Sequence, residues 1–309
     1  MEITRKHTGA IRVSASRRAF LVFNTVFLLL ISFAMLYPVI YVTAASFSDE
    51  LAILKGDVFL LPVRPYVKAY EKVFKYPLLW QSYGNTLLYT TLGTFINLTL
   101  TVFGAWSLSQ RKMAGRRFFT LMCTFTMFFS GGMIPTFLVV KGLGLRDTIW
   151  AMVLPGAVST YNMILMRTFF RQIPESLVEA AELDGCRDFG ILFRIVLPLS
   201  LASLMTIGMF YAVGHWNSYF PAVLYLEKRE LFPLQIILRQ VVLLNEIVEN
   251  SSSTENVMAE GIKYATIVVA MLPILCIYPF VQRYFVKGVM IGSVKERAFF
   301  RSDPRTGLR

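Results

Sequence analysis

Apolar positions in this chain gather into long uncharged runs. They follow neither the every-other-residue alternation of a half-buried strand nor the stripe of a surface helix. Six runs approach or exceed the roughly 20 residues a helix needs to cross a bilayer: Ala19–Ser48, Tyr76–Gln110, Phe118–Val140, Thr148–Met166, Ile195–Leu226 and Tyr264–Gln282. The second and fifth are longer than a bilayer requires, so part of each is expected outside it. The pattern predicts an all-α polytopic membrane bundle with six transmembrane helices.

The charges between the runs give the bundle an orientation. Arg5, Lys6, Arg12, Arg17 and Arg18 precede the first run, and Arg111, Lys112, Arg116 and Arg117 follow the second. Arg283, Lys287, Lys295, Arg297, Arg301, Arg305 and Arg309 follow the last. Basic residues are held on the cytoplasmic side, so both termini are expected in the cytoplasm, as six crossings require. Segment 167–194 then lies inside, and segments 49–75 and 227–263 lie outside. The latter contains 246-EIVENSSSTENVMAE-260, which reads as a loop or short lateral helix. The start 16-SRRAFLVF-23 reads as a basic flank of a first spanning helix and not as a cleaved export signal, because the apolar run is too long.

Composition supports the membrane class. Of 309 residues 55% are hydrophobic and 16% charged, against about a quarter charged in soluble domains; mean hydropathy is +0.56. The net charge of +12 sits in short loops beside apolar runs, which argues against nucleic-acid binding. Cys123, Cys186 and Cys276 form no CxxC or Cys/His spacing, and His7 and His215 are far apart, so neither a disulfide framework nor a metal site is indicated.

One stretch departs from this grain: 178-VEAAELDGCRDFGILFRIVLP-198. Pro174 suits a first helical turn, Ser176 with Glu179 fits a capping box, and Gly185 is placed to end the helix. The result is a helix of about ten residues, marginal alone in water. Leu177, Val178, Ala181 and Cys186 offer it little apolar surface, while Ala180 and Ala181 let another backbone approach. Its polar face carries Glu175, Glu179, Glu182 and Asp184, the wrong sign for anionic lipid. A cytoplasmic protein partner is therefore expected.

Glu179-Ala180-Ala181, then Gly185, Ile195 and Leu197-Pro198, resemble at every named position the EAA signature of ABC-importer permease subunits. With 131-GGMIPTFLVVKGLGLRDT-148, 161-YNMILMRTFFRQIP-174, 216-WNSYFPAVLYL-226 and 282-QRYFVKGVMIGSVKE-296, the chain resembles the binding-protein-dependent sugar permeases, on the side of the maltose-type second subunit. The resemblance covers about residues 20–296; the tail 297–309 runs past the usual family end. It implies two short cytoplasmic coupling helices that dock on an ATPase, with Gly185 at the turn between them and Leu197-Pro198 starting the fifth span. It further implies a second homologous permease subunit as a heterodimer partner, two ATPase subunits, an extracytoplasmic solute-binding protein and a sugar or oligosaccharide substrate. ATP and magnesium would sit on the ATPase, with no cofactor on this chain. Stretches 129-FSGGMIP-135 and 286-VKGVMIGSVKE-296 look like a branch handling complex oligosaccharides, including uronate-containing ones.

The chain is not expected to be an enzyme. It has no GxxxxGK[ST] P-loop, no HExxH and no GxSxG. Within the six runs only His215 titrates near neutrality, which weakens a proton- or sodium-coupled reading; without a partner acid, His215 reads as a hydrogen-bonded or interface residue. By residue type the solute path draws on Asn85, Tyr161, Asn162, Trp216, Asn217 and Tyr219. The Gly131-Gly132 pair is the expected break in a span and a further candidate for lining the path. For any one of these side chains, helix–helix hydrogen bonding or interfacial anchoring is the stronger reading. The expected organisation is a basic cytoplasmic segment 1–18, a transmembrane domain 19–287 containing the coupling loop 167–198, and a cytoplasmic tail 288–309, in the bacterial cytoplasmic membrane. Two other readings stand beside it: an ABC permease for peptides, amino acids or polyamines, and a channel or scaffold with no ATPase.

Overall fold

The computed structural model describes residues 14–249, 261–279 and 282. The basic residues of 1–13, much of the acidic segment 246–260 and the tail 288–309 lie outside the described residues or have undescribed side chains. Among the described residues every regular element is helical. In chain order these are α1 Ala15–Ser46, α2 Glu50–Leu54, α3 Lys68–Phe74, α4 Pro77–Ser109, α5 Arg116–Phe128, α6 Met133–Gly142, α7 Ile149–Val153 and α8 Thr160–Phe170. There follow α9 Glu175–Leu183, α10 Asp188–Leu199, α11 Leu201–Trp216, α12 Phe220–Tyr225, α13 Leu234–Glu249 and α14 Gly261–Pro279.

Among the described residues three helices are individually long and apolar enough to cross a membrane: α1, α4 and α14. Among the described residues two bent pairs are together long and apolar enough for a broken span or a re-entrant loop, α5 with α6 at 112° and α10 with α11 at 85°. The Gly131-Gly132 break is present: Gly132 has φ of +87° and precedes α6. The expected fourth span, Thr148–Met166, is not one helix. It divides into α7 and α8 around Leu154–Ser159, where Pro155 and Gly156 interrupt an otherwise apolar run. Leu197-Pro198 lies at the end of α10, just before the 85° bend that separates it from α11.

The chain divides into two compact units, residues 1–72 with 248–268, and 73–247 with 269–309. In the first, most of α1 keeps its large apolar side chains exposed, from Phe20 to Leu36. Only its C-terminal end is packed: Ala44 and Ala45 join Ala52, Ile53 and Val58 in a small core with Tyr41 and Tyr264 at its edge. Ser46 Oγ lies 2.8 Å from the Tyr70 hydroxyl, and Phe47 stacks on the Tyr70 ring. Glu50 is buried beside Gly261, and this burial raises its carboxyl pKa against the pull of Lys72.

The second unit is organised on α4. One face of its first half carries Gln81, Asn85 and Tyr89, which donate to the carbonyls of Glu230, Phe232 and Leu231, while Thr86 Oγ1 accepts from the Leu234 backbone. Its second half enters the main core, where Val102, Ala105, Trp106 and Leu108 pack with Met163, Met166 and Phe170 of α8 and with Ile207 and Tyr211 of α11. Asp147, at φ of +55°, accepts from the backbone N–H groups of Glu227 and Lys228 at 2.5 and 3.0 Å, and Arg146 pairs with Glu227. Those two N–H donors hold the Asp147 carboxyl below its ordinary range.

Candidate functional site

The polar stretch folds as two short helices joined by a tight turn. Asp184 caps α9, and Gly185 follows at φ of +80°. Gly185 N–H donates to Glu182 O at 3.0 Å and Cys186 N–H to Ala181 O at 2.9 Å. These are the two bonds of a Schellman motif, and they satisfy carbonyls the helix end would otherwise leave open. An L-residue at Gly185 would meet no side chain within 4 Å, so its cost is the left-handed backbone itself. The expected Ser176 capping box does not form. The helix begins two residues earlier, at Glu175, with Pro174 and not Ser176 as N-cap and Leu177 N–H donating to Pro174 O.

The helix pair has an inner and an outer face. Ala181 is 6% exposed and joins the main core with Val178 and Cys186 against it. The expectation that α9 finds little to dock on within its own chain is therefore corrected: the alanine is small enough to bring the helix onto the bundle, and Ala181 does not face a partner. Ile195 and Leu197 are likewise half-buried against the same core, through Ile191, Leu192 and Val196, which are almost fully buried. Pro198 lacks an N–H, and its ring crowds the carbonyl four residues back. The turn before it opens to a π-helical register over Leu192–Val196, with Leu197 N–H donating to Leu192 O. Outward-facing groups are Glu179, Ala180, Gly185, Pro198 and several large apolar side chains, the most exposed being Leu183 at 89% and Phe189 at 67%.

Basic residues after α4 anchor the acidic face of α9. Arg111 pairs with Glu175 and Lys112 with Glu182, each at 3.0 Å and exposed. The Glu182 carboxylate raises the Lys112 ammonium pKa, first by hydrogen bond and then by charge. Arg167 Nε donates to Leu108 O at 3.0 Å, tying the end of α8 to the end of α4.

The solute-path candidates scatter. Asn85 is taken up by the Glu230 and Phe232 carbonyls, and Asn217 donates to Val213 O in its own helix. Tyr219 lies beneath the Arg239 guanidinium at 4.7 Å from its ring centroid. Trp216 packs edge-on to Tyr83 and borders an apolar cavity of about 350 Å³. Tyr161, Gly131 and Gly132 are exposed. Asn162 alone of them lines a cavity of about 520 Å³ shared with Asn97, Ser159, His215 and Ser218. His215 is hydrogen-bonded, as expected, with Nε2 3.0 Å from Asn97 Nδ2. Asn97 was not anticipated. Its signal is a stripe of buried polar or small positions along α4, Ser82, Thr86, Gly93, Asn97 and Thr101, spaced four or seven residues apart.

Residues 83–291 match the family of binding-protein-dependent transport system inner membrane components. The chain belongs to that family. This inner membrane component is 42% identical over 276 residues to the polygalacturonan/rhamnogalacturonan transport system permease protein YtcP of Bacillus subtilis, covering 87% of this chain and 96% of that one. It is 42% identical over 281 residues to Protein LplC of the same organism, covering 90% and 95%. Among solved structures it resembles a chain of a bacterial ABC transporter involved in the import of the acidic polysaccharide alginate. That match has 37% identity and a TM-score of 0.81, over 89% of this component and 100% of that chain.

Proposed function

We propose that this chain is one permease subunit of an ATP-driven importer in the bacterial cytoplasmic membrane, carrying an oligosaccharide rich in uronate units. The observation that carries the reading is the α9–α10 pair: its inner face is locked into the bundle core, and its outer face offers Leu183, Phe189 and Glu179 to a partner. A chain without a P-loop must take ATP hydrolysis, with its magnesium, from that partner. Two ATPase subunits, a second homologous permease and an extracytoplasmic solute-binding protein complete the assembly. The printed substrates of YtcP and of the alginate importer support an acidic oligosaccharide.

Six crossings with both termini in the cytoplasm agree with which loops touch. Arg111 and Lys112, expected inside, pair with Glu175 and Glu182, also expected inside. Asp147 binds the backbone of Glu227 and Lys228, and Asn85 that of Glu230, at the end expected outside. Movement of the ATPases on nucleotide binding is transmitted through α9 and α10 because their inner face cannot slip without opening the core around Leu192. The bundle then rocks between inward- and outward-facing states, as alternating access requires.

The test is co-purification and uptake. A tagged chain brings down a nucleotide-binding partner, and Glu179→Lys or Gly185→Val abolishes uptake of a galacturonate trisaccharide while the protein stays inserted. A preparation with no nucleotide-binding partner, or normal uptake in both variants, removes the reading.

A further inference from the structure

The 520 Å³ cavity lies where two helix breaks meet. Thr136 on its wall is one turn past the Gly132 break, and Pro155, Gly156 and Ser159 belong to the turn between α7 and α8. Unwound backbone at membrane depth is tolerated where protein buries it or where it lines a cavity. Two side chains satisfy this turn. Asn97 Nδ2 donates to Gly156 O at 3.4 Å and to His215 Nε2 at 3.0 Å. The Ser159 N–H donates to the Tyr211 hydroxyl at 3.1 Å, and that hydroxyl also bonds Thr101 at 2.7 Å.

These contacts fix the Asn97 amide. The Gly156 carbonyl only accepts, so the amide nitrogen must face it. Both amide hydrogens are engaged within the chain. The oxygen, Oδ1, has no hydrogen-bond partner among the described residues, in a side chain only 2% exposed. Leaving a buried acceptor open is costly. Asn162 is 6% exposed on the same cavity, and its amide makes no hydrogen bond among the described residues. Gly93 makes room for the arrangement: a Cβ there would overlap the His215 imidazole. No Asp, Glu, Lys or Arg is among the described residues that line the cavity, whereas Phe210 and Tyr225 supply aromatic walls.

We infer that this subunit carries its own saccharide site here, which binds the neutral, hydroxyl-bearing face of a sugar unit. The Asn162 side-chain amide, with both a donor and an acceptor, brackets one ring hydroxyl, and Asn97 holds the turn and the His215 ring that form the wall beside it. The volume lies in the range of small-molecule sites. With no cation in its wall, the site reads hydroxyl stereochemistry and is indifferent to the sugar's carboxylate. The inference rests on the proposal that a saccharide crosses this bundle.

The experiment uses the complete transporter in proteoliposomes, with a galacturonate trisaccharide and its neutral methyl ester as probes. Asn162→Ala is expected to lower uptake about tenfold, by the same factor for both probes, while ATPase subunits remain bound. It removes no internal side-chain hydrogen bond among the described residues, so the fold of the cavity wall is left in place. In a background with Cys123, Cys186 and Cys276 replaced by serine, Thr136→Cys should react with a maleimide during turnover, and the trisaccharide should slow that reaction at least fivefold. Unchanged uptake in Asn162→Ala, or labelling that neither probe slows, overturns the site. A loss confined to the acidic probe also overturns it. The importer reading fails separately, by absence of a bound ATPase or of uptake by the unmodified complex.

Discussion

Leu183 tests the coupling surface most directly. It ends α9 beside the Gly185 turn and is 89% exposed, although it is a leucine on a helix of nine residues. Nearly all of its apolar area is therefore available to a partner. Burying a leucine side chain fully is worth about 1.5–3 kcal/mol. Scaled to the area still free, Leu183→Ala should weaken ATPase binding by about 1.5–2.5 kcal/mol, or roughly ten- to seventyfold in Kd. The change leaves the helix intact, since alanine is the best helix former, and removes no core contact. The assay titrates purified ATPase subunit onto the detergent-solubilised permease pair by surface plasmon resonance, with thermal unfolding of the pair as control. A Kd within twofold of the original, with an unchanged Tm, would refute the assignment of this side chain to the interface. A fall in Tm matching the loss of affinity would refute the argument that its area is free in the chain.

Three further outcomes follow from the described contacts. Leu192→Ala, at a fully buried position, should cost about 2–5 kcal/mol, seen as a lower Tm and as protease sensitivity within α10; an unchanged Tm would mean α10 is not locked to the core. Glu50 has its pKa raised above 4.5 by burial, so its contribution favours folding below about that pH and is lost as pH rises through the higher folded value. Glu50→Gln should therefore raise Tm at pH 7 and leave it unchanged at pH 4, and equal shifts at both would refute the cause. Asp147 has its pKa lowered below 3.8 by two backbone donors, so its contribution is present above that pH and fades as pH falls through the lower folded value; Asp147→Asn should speed amide exchange at Glu227 and Lys228 at pH 7, and unchanged exchange would refute the clamp.

Much of the fold could be read from the runs, because burying uncharged backbone in lipid requires helices. What the runs conceal is where those helices break. Thr148–Met166 is apolar enough to pass as a span, yet Pro155-Gly156 divides it, and hydropathy weighs neither residue for backbone geometry. The Gly185 turn was legible since a left-handed cap needs glycine whatever surrounds it. The burial of Ala181 was not, because a small residue reads equally as surface or as close contact, and only the nearness of Trp106, Phe170 and Leu192 within one core decides between them.

Asn97 was hidden for a deeper reason. A single asparagine in an apolar run is uninformative until the turn at Gly156 and the ring of His215 arrive from two other helices. Once they do, the amide has divided duties. One hydrogen of its nitrogen closes the hydrogen-bonding of a broken helix, a requirement of the fold in a membrane, while the other holds the His215 ring on the wall of the same cavity. The break that sequence hydropathy misses and the polar group it overlooks are thus one feature: opening the helix creates both the space and the need for a side chain that can face two ways.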